Sequence, residues 1–372
     1  MIFFISSCKS VALRGPASHT VISKEDKEDK GWSGVLDTMA NFSESKVRHI
    51  KILYGTDRKE IKMEESSVKY EAAPANIDEE YKVGYTIVSI PNDRVPGEIR
   101  RPSIWKLEFT EDSTKHMLNK NIIKLSSESF DEMLKSIDRE AEAFLFVHGY
   151  NNSFEDAALR TAQITEDIGM PIVPIMFSWP SNGALLRYGS DGDNVRLAVP
   201  AFKHFLKRIS SMGGFKKLHI VAHSMGNRLI ASAFKELKDD SVNLRVDQVI
   251  MAAPDLYADE FRRDLAEPIV NRAKRVTVYA AKNDWALKSS KLFHTNLRLG
   301  QISKPPFPIN RVDIIDASEV KTDFLGHGGF AQSQSIMNDI NKLINTSAAP
   351  NLRGIKYMKI RNLDYYYFAR WG

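Results

Sequence analysis

The sequence predicts an α/β fold, in which a mostly parallel central sheet carries helices on both faces and antiparallel strands at its N-terminal side. The first observation is an alternation of short apolar runs with segments of helical spacing between residues 143 and 345. Such alternation is typical of a parallel sheet, because each helix returns the chain to the same end of the sheet. The second observation is that several earlier runs alternate polar and apolar residues, as half-exposed antiparallel strands do.

The N-terminal part divides into a linker and a set of strands. Residues 9–45 are polar and charged without a clear period, which is typical of a flexible linker. Four strands are predicted after it, at 49–55, 85–91, 104–109 and 121–125. A helix is predicted at 129–139.

The second part contains six short apolar runs of the kind found in strands buried on both faces. These strands are predicted at 143–147, 172–177, 218–221, 249–253, 276–280 and 312–315. Helical spacing predicts helices near 154–168, 193–211, 225–238, 258–273 and 331–345.

The chain of 372 residues, of which 43% are hydrophobic, is long enough for one large domain. We assign this domain to residues 46–347, with a signal remnant and linker before it and a C-terminal tail at 348–372. The tail is dense in aromatic side chains: Tyr365, Tyr366, Tyr367, Phe368 and Trp371. Aromatic rings in this number favour a strand or strap packed on the domain. Contact with a membrane interface or a partner is the alternative.

The charge pattern argues against a nucleic-acid-binding protein. The formal net charge is +5, but 52 basic residues are scattered among 47 acidic ones. No stripe of Lys or Arg interleaved with aromatic residues suggests a nucleic-acid face. The sequence also has no metal signature, and we expect neither a metal nor another cofactor.

Cys8 is the single cysteine, which excludes an internal disulfide. The residues before it, Ile5 to Ser7, resemble a bacterial lipobox, in which the cysteine becomes lipidated. The preceding apolar stretch is too short for a full signal peptide and lacks a basic start. If the true signal begins upstream, we expect membrane anchoring through a lipid on Cys8 and a location in the cell envelope. The alternative is a cytoplasmic protein whose irregular N-terminal segment is not a signal.

The most informative segment is the junction between a predicted strand at 218–221 and a predicted helix that starts near Met225. Ala222 and Gly226 bracket Ser224 at this junction. The pattern is the nucleophile elbow G-x-S-x-G of the α/β-hydrolase fold, with alanine in place of the first glycine. So sharp a turn requires small residues two before and two after the serine, and it presents the hydroxyl at the carboxyl edge of the sheet. The alternative for Ser224 is an ordinary helix N-cap.

A serine nucleophile needs a histidine base and an acid, which follow it in the order acid then histidine in this fold. His327 lies in a glycine-flanked loop after the last strand, whereas His294 lies in a polar segment, so His327 is the predicted base. The acid is Asp284, after the penultimate strand, or alternatively Asp255, after the strand before it.

Two backbone amides must hold the oxyanion that forms during acyl transfer. We assign these to Met225, after the nucleophile, and to Tyr150, in the loop after the strand at 143–147. His148 then braces that loop, although it remains an alternative base. Trp179 and Tyr188 are candidates for the walls of an acyl pocket, with core packing as the alternative.

Six motifs occur in an order that resembles a known family: YGTDR at 54–58, FVHGYNNSF at 146–154, FSWPS at 177–181, AHSMGNR at 222–228, AAPD at 252–255 and NDWAL at 283–287. The chain resembles the bacterial α/β-hydrolases of the domain-of-unknown-function 900 family, often labelled esterase/lipase superfamily enzymes. The resemblance covers roughly residues 47–345. It implies a serine hydrolase with Ser224, Asp284 and His327 at the triad positions.

These observations predict an esterase that acts on a small-molecule ester or acyl substrate through an acyl-enzyme. The same groups cleave amides and thioesters, so an amidase, peptidase or thioesterase is an alternative. A hydrolase-like scaffold that binds a ligand without turnover is another. The sequence does not indicate the acyl-chain length or the oligomeric state.

Overall fold

The computed structural model describes residues 46–62, 68–75, 80–102, 110–181, 188–238, 244–282, 297–303, 307–320 and 334–369. An 11-stranded sheet organises this part of the chain, with the strand order β12-β13-β11-β10-β9-β8-β6-β7-β1-β4-β5. A separate two-stranded hairpin consists of β2 (Arg58–Lys62) and β3 (Val68–Pro74). This sheet is the mostly parallel α/β sheet that the sequence predicts.

The antiparallel strands lie at the N-terminal end, as predicted. β4 (Lys82–Pro91) lies between β1 (Val47–Thr56) and β5 (Leu118–Leu125) and is antiparallel to both. β1 is also parallel to β7, which attaches this end to the rest of the sheet. The strand predicted at 104–109 lies outside the described residues. The sequence analysis missed the β2–β3 hairpin, whose short, charged strands lack a clear apolar alternation.

Eight strands run parallel to one another in the rest of the sheet, from β1 at one end to β13 at the other. Between these two lie β6 (Glu142–Val147), β7 (Val173–Ser178), β8 (Lys217–His223), β9 (Val246–Ala252), β10 (Ala273–Ala280) and β11 (Val312–Asp316). Because neighbouring strands are parallel, their carboxyl ends meet at one edge: Val147 pairs with Ala222, and His223 pairs with Ala252. The side chains that follow these strands therefore share one edge.

The helices are α1 (Ser127–Lys135), α2 (Phe154–Ile168), α3 (Tyr188–Leu197), α4 (Val199–Met212), α5 (Gly226–Glu236), α6 (Ala258–Glu260), α7 (Ala266–Val270) and α8 (Gln334–Thr346). A π-helical turn, Phe261–Leu265, joins α6 to α7. The single helix predicted near 193–211 is divided into α3 and α4. Pro200 lies in the first turn of α4, where its missing N–H costs least, and a proline is unfavourable farther inside a helix.

The helices cover both faces of the sheet. Buried residues of α1, α4, α5 and α7 form one core with the sheet, represented by Phe130, Phe205 and Phe234. α2 and α8 cover the other face through residues such as Ile164 and Ile340. In the part of the chain that the structure describes, none of the helices combines the length and apolar character needed to cross a membrane.

The aromatic tail adds two strands to the sheet. β12 (Lys356–Ile360) and β13 (Leu363–Tyr367) form an antiparallel hairpin, and β13 is parallel to β11. Tyr365 is buried and its hydroxyl donates a hydrogen bond to Asp316. Phe368 packs near Tyr279 of β10, with 6.4 Å between ring centroids. The prediction of a strand packed on the domain is therefore confirmed.

Candidate active site

Ser224 lies at the turn between β8 and α5, as the sequence pattern predicts. Its φ is +49°, in the left-handed region that residues other than glycine rarely adopt. Asn151 and Ala253 are also left-handed, at +59° and +44°, in the segments that follow the two neighbouring strands β6 and β9. Three of the seven left-handed residues other than glycine in the described part of the chain therefore lie at one edge of the sheet, and such backbone is often found at functional sites.

Close packing explains the small residues around the serine. A Cβ atom on Gly226 would lie 2.4 Å from the carbonyl oxygen of His148 and 2.7 Å from that of Val147. Both oxygens belong to backbone, which cannot move aside as a flexible side chain can. A Cβ atom on Gly149 would in turn lie 3.0 Å from the Cβ atom of Ser224. The loop after β6 therefore passes directly over the serine.

Hydrogen bonds to neighbouring segments hold the turn around Ser224. The Ser224 amide donates to the Ala252 carbonyl at 2.9 Å, and the Asp255 amide donates to the Ser224 carbonyl at 3.2 Å. The buried Asn227 side chain also donates to the Ser224 carbonyl, at 3.0 Å. The hydroxyl therefore projects from a backbone that is attached both to β9 and to the first turn of α5.

The amides assigned to the oxyanion lie on two sides of this serine. Met225 is the N-cap of α5, where the first amides of a helix have no acceptor within the helix. Tyr150 follows Gly149 in the loop that covers the serine. The carbonyl of Tyr150 accepts a hydrogen bond from the Asn152 side chain at 2.8 Å. The loop ends at the N-terminus of α2, where Ser153 and Asp156 form a capping box.

His148 is a buried, neutral histidine. Burial, together with the nearby charge of Arg58, lowers the pKa of His148 to about 3. Its Nδ1 lies 2.7 Å from the Gly149 carbonyl oxygen, so this nitrogen carries the proton and donates it. The ring stacks on Trp179 at 5.1 Å between centroids. This placement agrees with a bracing role.

His223 precedes the serine and is partly buried. Burial, with a smaller contribution from the charge of Arg160, lowers the pKa of His223 to about 4. Its imidazole is therefore neutral at pH 7. A Cβ atom on Gly149 would lie 3.0 Å from its Nδ1, so the ring packs against the loop that covers Ser224.

Asp255, the alternative acid, is buried at the end of β9 and engaged by two arginines. Its Oδ2 accepts a hydrogen bond from Arg228 Nη2 at 2.8 Å, and its Oδ1 lies 3.5 Å from Arg298 Nε. Arg228 Nε also donates to the Asp255 carbonyl at 2.8 Å. The carboxylate thus joins α5 to the segment at 297–303, which is the arrangement of an aspartate that braces loops.

Several predicted positions lie outside the described residues: Asp284, His294, His327 and Cys8. In sequence, Asp284 follows β10 and His327 follows β11, the two strands that come after β9 in the sheet. Within the described ranges, no group of three or more His, Cys, Asp or Glu residues is placed to hold a metal ion.

The two candidates for pocket walls differ in placement. Trp179 is fully buried, and its indole N–H donates to the His148 carbonyl at 2.8 Å. The structure therefore favours the core-packing alternative for this residue. Tyr188 is the first residue of α3, and its side chain is outside what the structure describes.

Several residues of the sequence motifs make contacts whose role the sequence does not indicate. Asn227 holds the Ser224 carbonyl, and Arg228 holds Asp255. Arg58 is fully buried and bonds to two of the loops at this edge. The signal available was their position inside the YGTDR and AHSMGNR motifs, but local sequence does not show which distant residues they contact.

The chain is similar to a curated protein and to several solved structures. A protein from Nostoc sp., described only as uncharacterized, is 24% identical in a match of 233 residues that covers 47% of this chain. The chain spans 61% of the length of that curated relative. Among solved structures, a hyperthermophilic esterase from Pyrobaculum calidifontis has a TM-score of 0.35 and 12% identity, over 85% of this chain and 88% of its own. An esterase from Rhizomucor miehei has a TM-score of 0.35 and 9% identity, over 80% and 83%.

The family model described as "Alpha/beta hydrolase of unknown function (DUF900)" matches residues 124–346. This match covers more than half of the chain and includes β6 to α8, the loop over Ser224 and the elbow itself. The chain belongs to the DUF900 family of α/β hydrolases.

Proposed function

We propose that this α/β hydrolase is a serine esterase that cleaves small carboxylic esters through an acyl-enzyme intermediate. The observation that carries the proposal is the left-handed backbone of Ser224 at the tip of the β8–α5 turn, with Gly149 in contact above it. This geometry places a hydroxyl beside the amino end of a helix, whose dipole favours developing negative charge.

In the proposed reaction, His327 takes the proton of the Ser224 hydroxyl as the oxygen attacks the ester carbonyl. Asp284 stabilises the resulting imidazolium. The amides of Met225 and Tyr150 hold the tetrahedral oxyanion. The C–O bond to the alcohol then breaks, and the alcohol leaves with the proton from His327. Water repeats these steps on the acyl-enzyme and releases the carboxylic acid and the free serine.

The hydrogen-bond inventory supports the division of roles between the two aspartates. Asp255 accepts a hydrogen bond from Arg228 and lies within ion-pair distance of Arg298, and these contacts suit a bracing role. Asp284 is the acid that the sequence predicts after the penultimate strand. We therefore expect Asp284→Asn to lower kcat about 10,000-fold, the cost of removing the acid in related triads. Asp255→Asn should lower the stability of the protein, and it should lower kcat less than Asp284→Asn does.

A fluorophosphonate probe tests the proposal directly. We expect the wild-type protein to be labelled and Ser224→Ala to be unlabelled. Ser347→Ala is a matched control, because Ser347 is also left-handed, at +53°, and its hydroxyl bonds to Asp247 at 3.0 Å near the amino end of β9. This variant should be labelled as the wild type is. An unlabelled wild type would contradict the proposal and favour a binding scaffold.

A panel of p-nitrophenyl esters of graded chain length tests the substrate class. Turnover of these esters would support the esterase proposal. The preferred chain length would show how long an acyl chain the pocket accepts. Labelling by the probe without turnover of any ester would contradict the ester assignment. The same panel should then be repeated with the corresponding anilides and thioesters.

A further inference from the structure

The buried guanidinium of Arg58 lies where three segments meet behind the elbow. Its Nε donates to the Ser178 hydroxyl at 2.8 Å, and its Nη2 donates to the Asn152 carbonyl at 2.7 Å. Its Nη1 donates to the carbonyls of Ser181 and Glu71 at 3.2 and 3.3 Å. These acceptors come from the end of β7, from the loop over Ser224 and from the β2–β3 hairpin.

One route of hydrogen bonds leads from Arg58 to the loop through Asn152. Arg58 holds the Asn152 carbonyl, and the Ser181 hydroxyl accepts from the Asn152 amide at 3.3 Å. The side-chain amide of Asn152 then donates to the carbonyls of Tyr150, at 2.8 Å, and Gly149, at 3.4 Å. The bonds that hold the backbone of Asn152 therefore also position its side-chain amide beside the Tyr150 and Gly149 carbonyls.

A second route leads from Arg58 through His148 to the Gly149 carbonyl, which the Asn152 side chain also reaches. The Ser178 hydroxyl accepts from Arg58 and lies 3.4 Å from His148 Nε2, which is the acceptor of the neutral ring. The other ring nitrogen donates to the Gly149 carbonyl at 2.7 Å. Arg58 thus supports both donors that reach this one oxygen.

The orientation of the Gly149 carbonyl determines the direction of the Tyr150 amide. A peptide unit is planar and trans, so its C=O and N–H groups point in opposite directions. Two donors draw the Gly149 oxygen toward the interior of the protein, and the N–H of the same peptide then points the other way. Glycine at 149 would otherwise permit this peptide to rotate.

We infer that Arg58 is a positioning residue that holds the Gly149–Tyr150 peptide with its N–H directed toward the oxyanion. This inference rests on the proposed function, because it assigns a role to that peptide in the hydrolysis reaction. Arg58 remains positively charged at pH 7, although burial lowers its pKa to about 10. Five fixed donors in one plane suit an arginine for holding several carbonyls at once, whereas a lysine has a single ammonium.

The test compares two buried arginines. Arg353 is equally enclosed, and it bonds to Asp339 at 2.8 and 3.1 Å on the face covered by α8. We expect Arg58→Ala to lower kcat about 100-fold, the cost of one oxyanion donor, with KM changed less than threefold. Arg353→Ala should lower the melting temperature but keep the wild-type kcat, measured well below that temperature.

Chemical rescue provides a readout that general destabilisation would not produce. Guanidinium at tens of millimolar should restore part of the kcat of Arg58→Ala, because it can occupy the space left by the side chain. Equal concentrations of urea or sodium should not. Guanidinium should leave the kcat of Arg353→Ala unchanged.

Ser178→Ala and Arg58→Lys decide the question if Arg58→Ala does not fold. Ser178→Ala removes only the route through His148, so we expect a fall in kcat of about fivefold, with the larger fall in Arg58→Lys. Folded variants with wild-type kcat would overturn the role of Arg58 and leave the esterase proposal intact. A wild-type protein that neither reacts with the probe nor cleaves esters would instead overturn the proposed function.

Discussion

The protein buries two arginines in different ways. Arg353, next to the C-terminal tail, forms two hydrogen bonds with the Asp339 carboxylate, which also accepts from the Tyr279 hydroxyl at 2.6 Å. Arg58, at the carboxyl edge, has carbonyls and a hydroxyl as its hydrogen-bond acceptors in the described part of the chain. The charge of Arg353 is therefore paired with a carboxylate, whereas the guanidinium of Arg58 donates to neutral acceptors in several segments.

This difference indicates what each arginine contributes. An ion pair with good geometry fixes two elements against each other, and here it attaches α8 and the tail to β10. A guanidinium that donates to carbonyls and a hydroxyl sets the direction of several peptide groups. We therefore expect the region around Arg353 to determine stability, and the carboxyl edge to determine catalysis.

The largest expected effect comes from filling space at the carboxyl edge. Gly226→Ala would bring a Cβ atom within 2.4 Å of a backbone oxygen, so the turn that carries Ser224 must move. A displacement of about 1 Å at a reacting group can cost about 100-fold in rate, so we expect kcat for ester hydrolysis to fall at least that far. Probe labelling and ester turnover measure it.

Gly354→Ala is the matched substitution in the other region. Gly354 has a φ of +91°, and there is room for a side chain: the nearest atom to an added Cβ, apart from neighbouring residues in the chain, would be Lys342 Nζ at 3.8 Å. The backbone conformation alone should cost about 1–2 kcal/mol in free energy of unfolding, measured by urea denaturation. An unchanged kcat in this variant supports the comparison, and a fall like that of Gly226→Ala would break it.

The next effect tests whether the pair at Arg353 acts on stability alone. Asp339→Asn removes the negative charge and leaves the guanidinium buried, which should lower the free energy of unfolding by about 3 kcal/mol. We expect kcat at low temperature to stay within twofold of the wild type. The measurements are urea unfolding and ester turnover on the same preparation.

The double variant Arg353→Met with Asp339→Leu sharpens this test. Replacing both charged groups by apolar ones of similar size is often neutral, so we expect it to regain much of the lost stability. Additive losses in the double variant would mean that the two residues do not act as a pair.

The sequence was sufficient for those parts of the molecule that depend on local pattern. The parallel strands were predicted because each is a short apolar run, and the elbow was predicted because Ala222, Ser224 and Gly226 lie within five residues of one another. The division of the predicted helix at Ala198 was missed although Pro200 marks it. An amphipathic pattern continues across such a break, so periodicity alone does not show it.

The network around Arg58 could not be predicted in the same way. It joins residues 58, 152 and 178, which are brought together by the strand order β1-β7-β6, and that order is not written in any one segment. A hydrophobic pattern also treats a buried arginine as a surface residue. The YGTDR and FSWPS motifs were visible, but only the contacts show why they occur together.

The last expected effect is a pH dependence of stability that arises at the carboxyl edge. The pKa of His148 is about 3 in the folded protein, against about 6.5 for an exposed histidine. Between these values the unfolded chain binds a proton that the native state excludes. Stability from this residue is therefore present above pH 6.5 and is lost as the pH falls toward 3, by about 1.4 kcal/mol per pH unit.

His148→Asn isolates this contribution, because asparagine does not titrate and keeps an N–H near the position of Nδ1. We expect its unfolding free energy to fall less steeply than that of the wild type between pH 6 and pH 4, so that the difference between the two proteins narrows. Asp57, whose pKa burial raises to about 7, acts in the opposite direction but is common to both proteins. His204→Asn, at an exposed position on α4, is the control and should keep the wild-type slope. The described hydrogen bonds around Arg353 include no histidine, so we expect this pH dependence at the carboxyl edge and not there. If the unfolding free energies of the wild type and His148→Asn changed with pH at the same rate, the two regions would not differ in this respect.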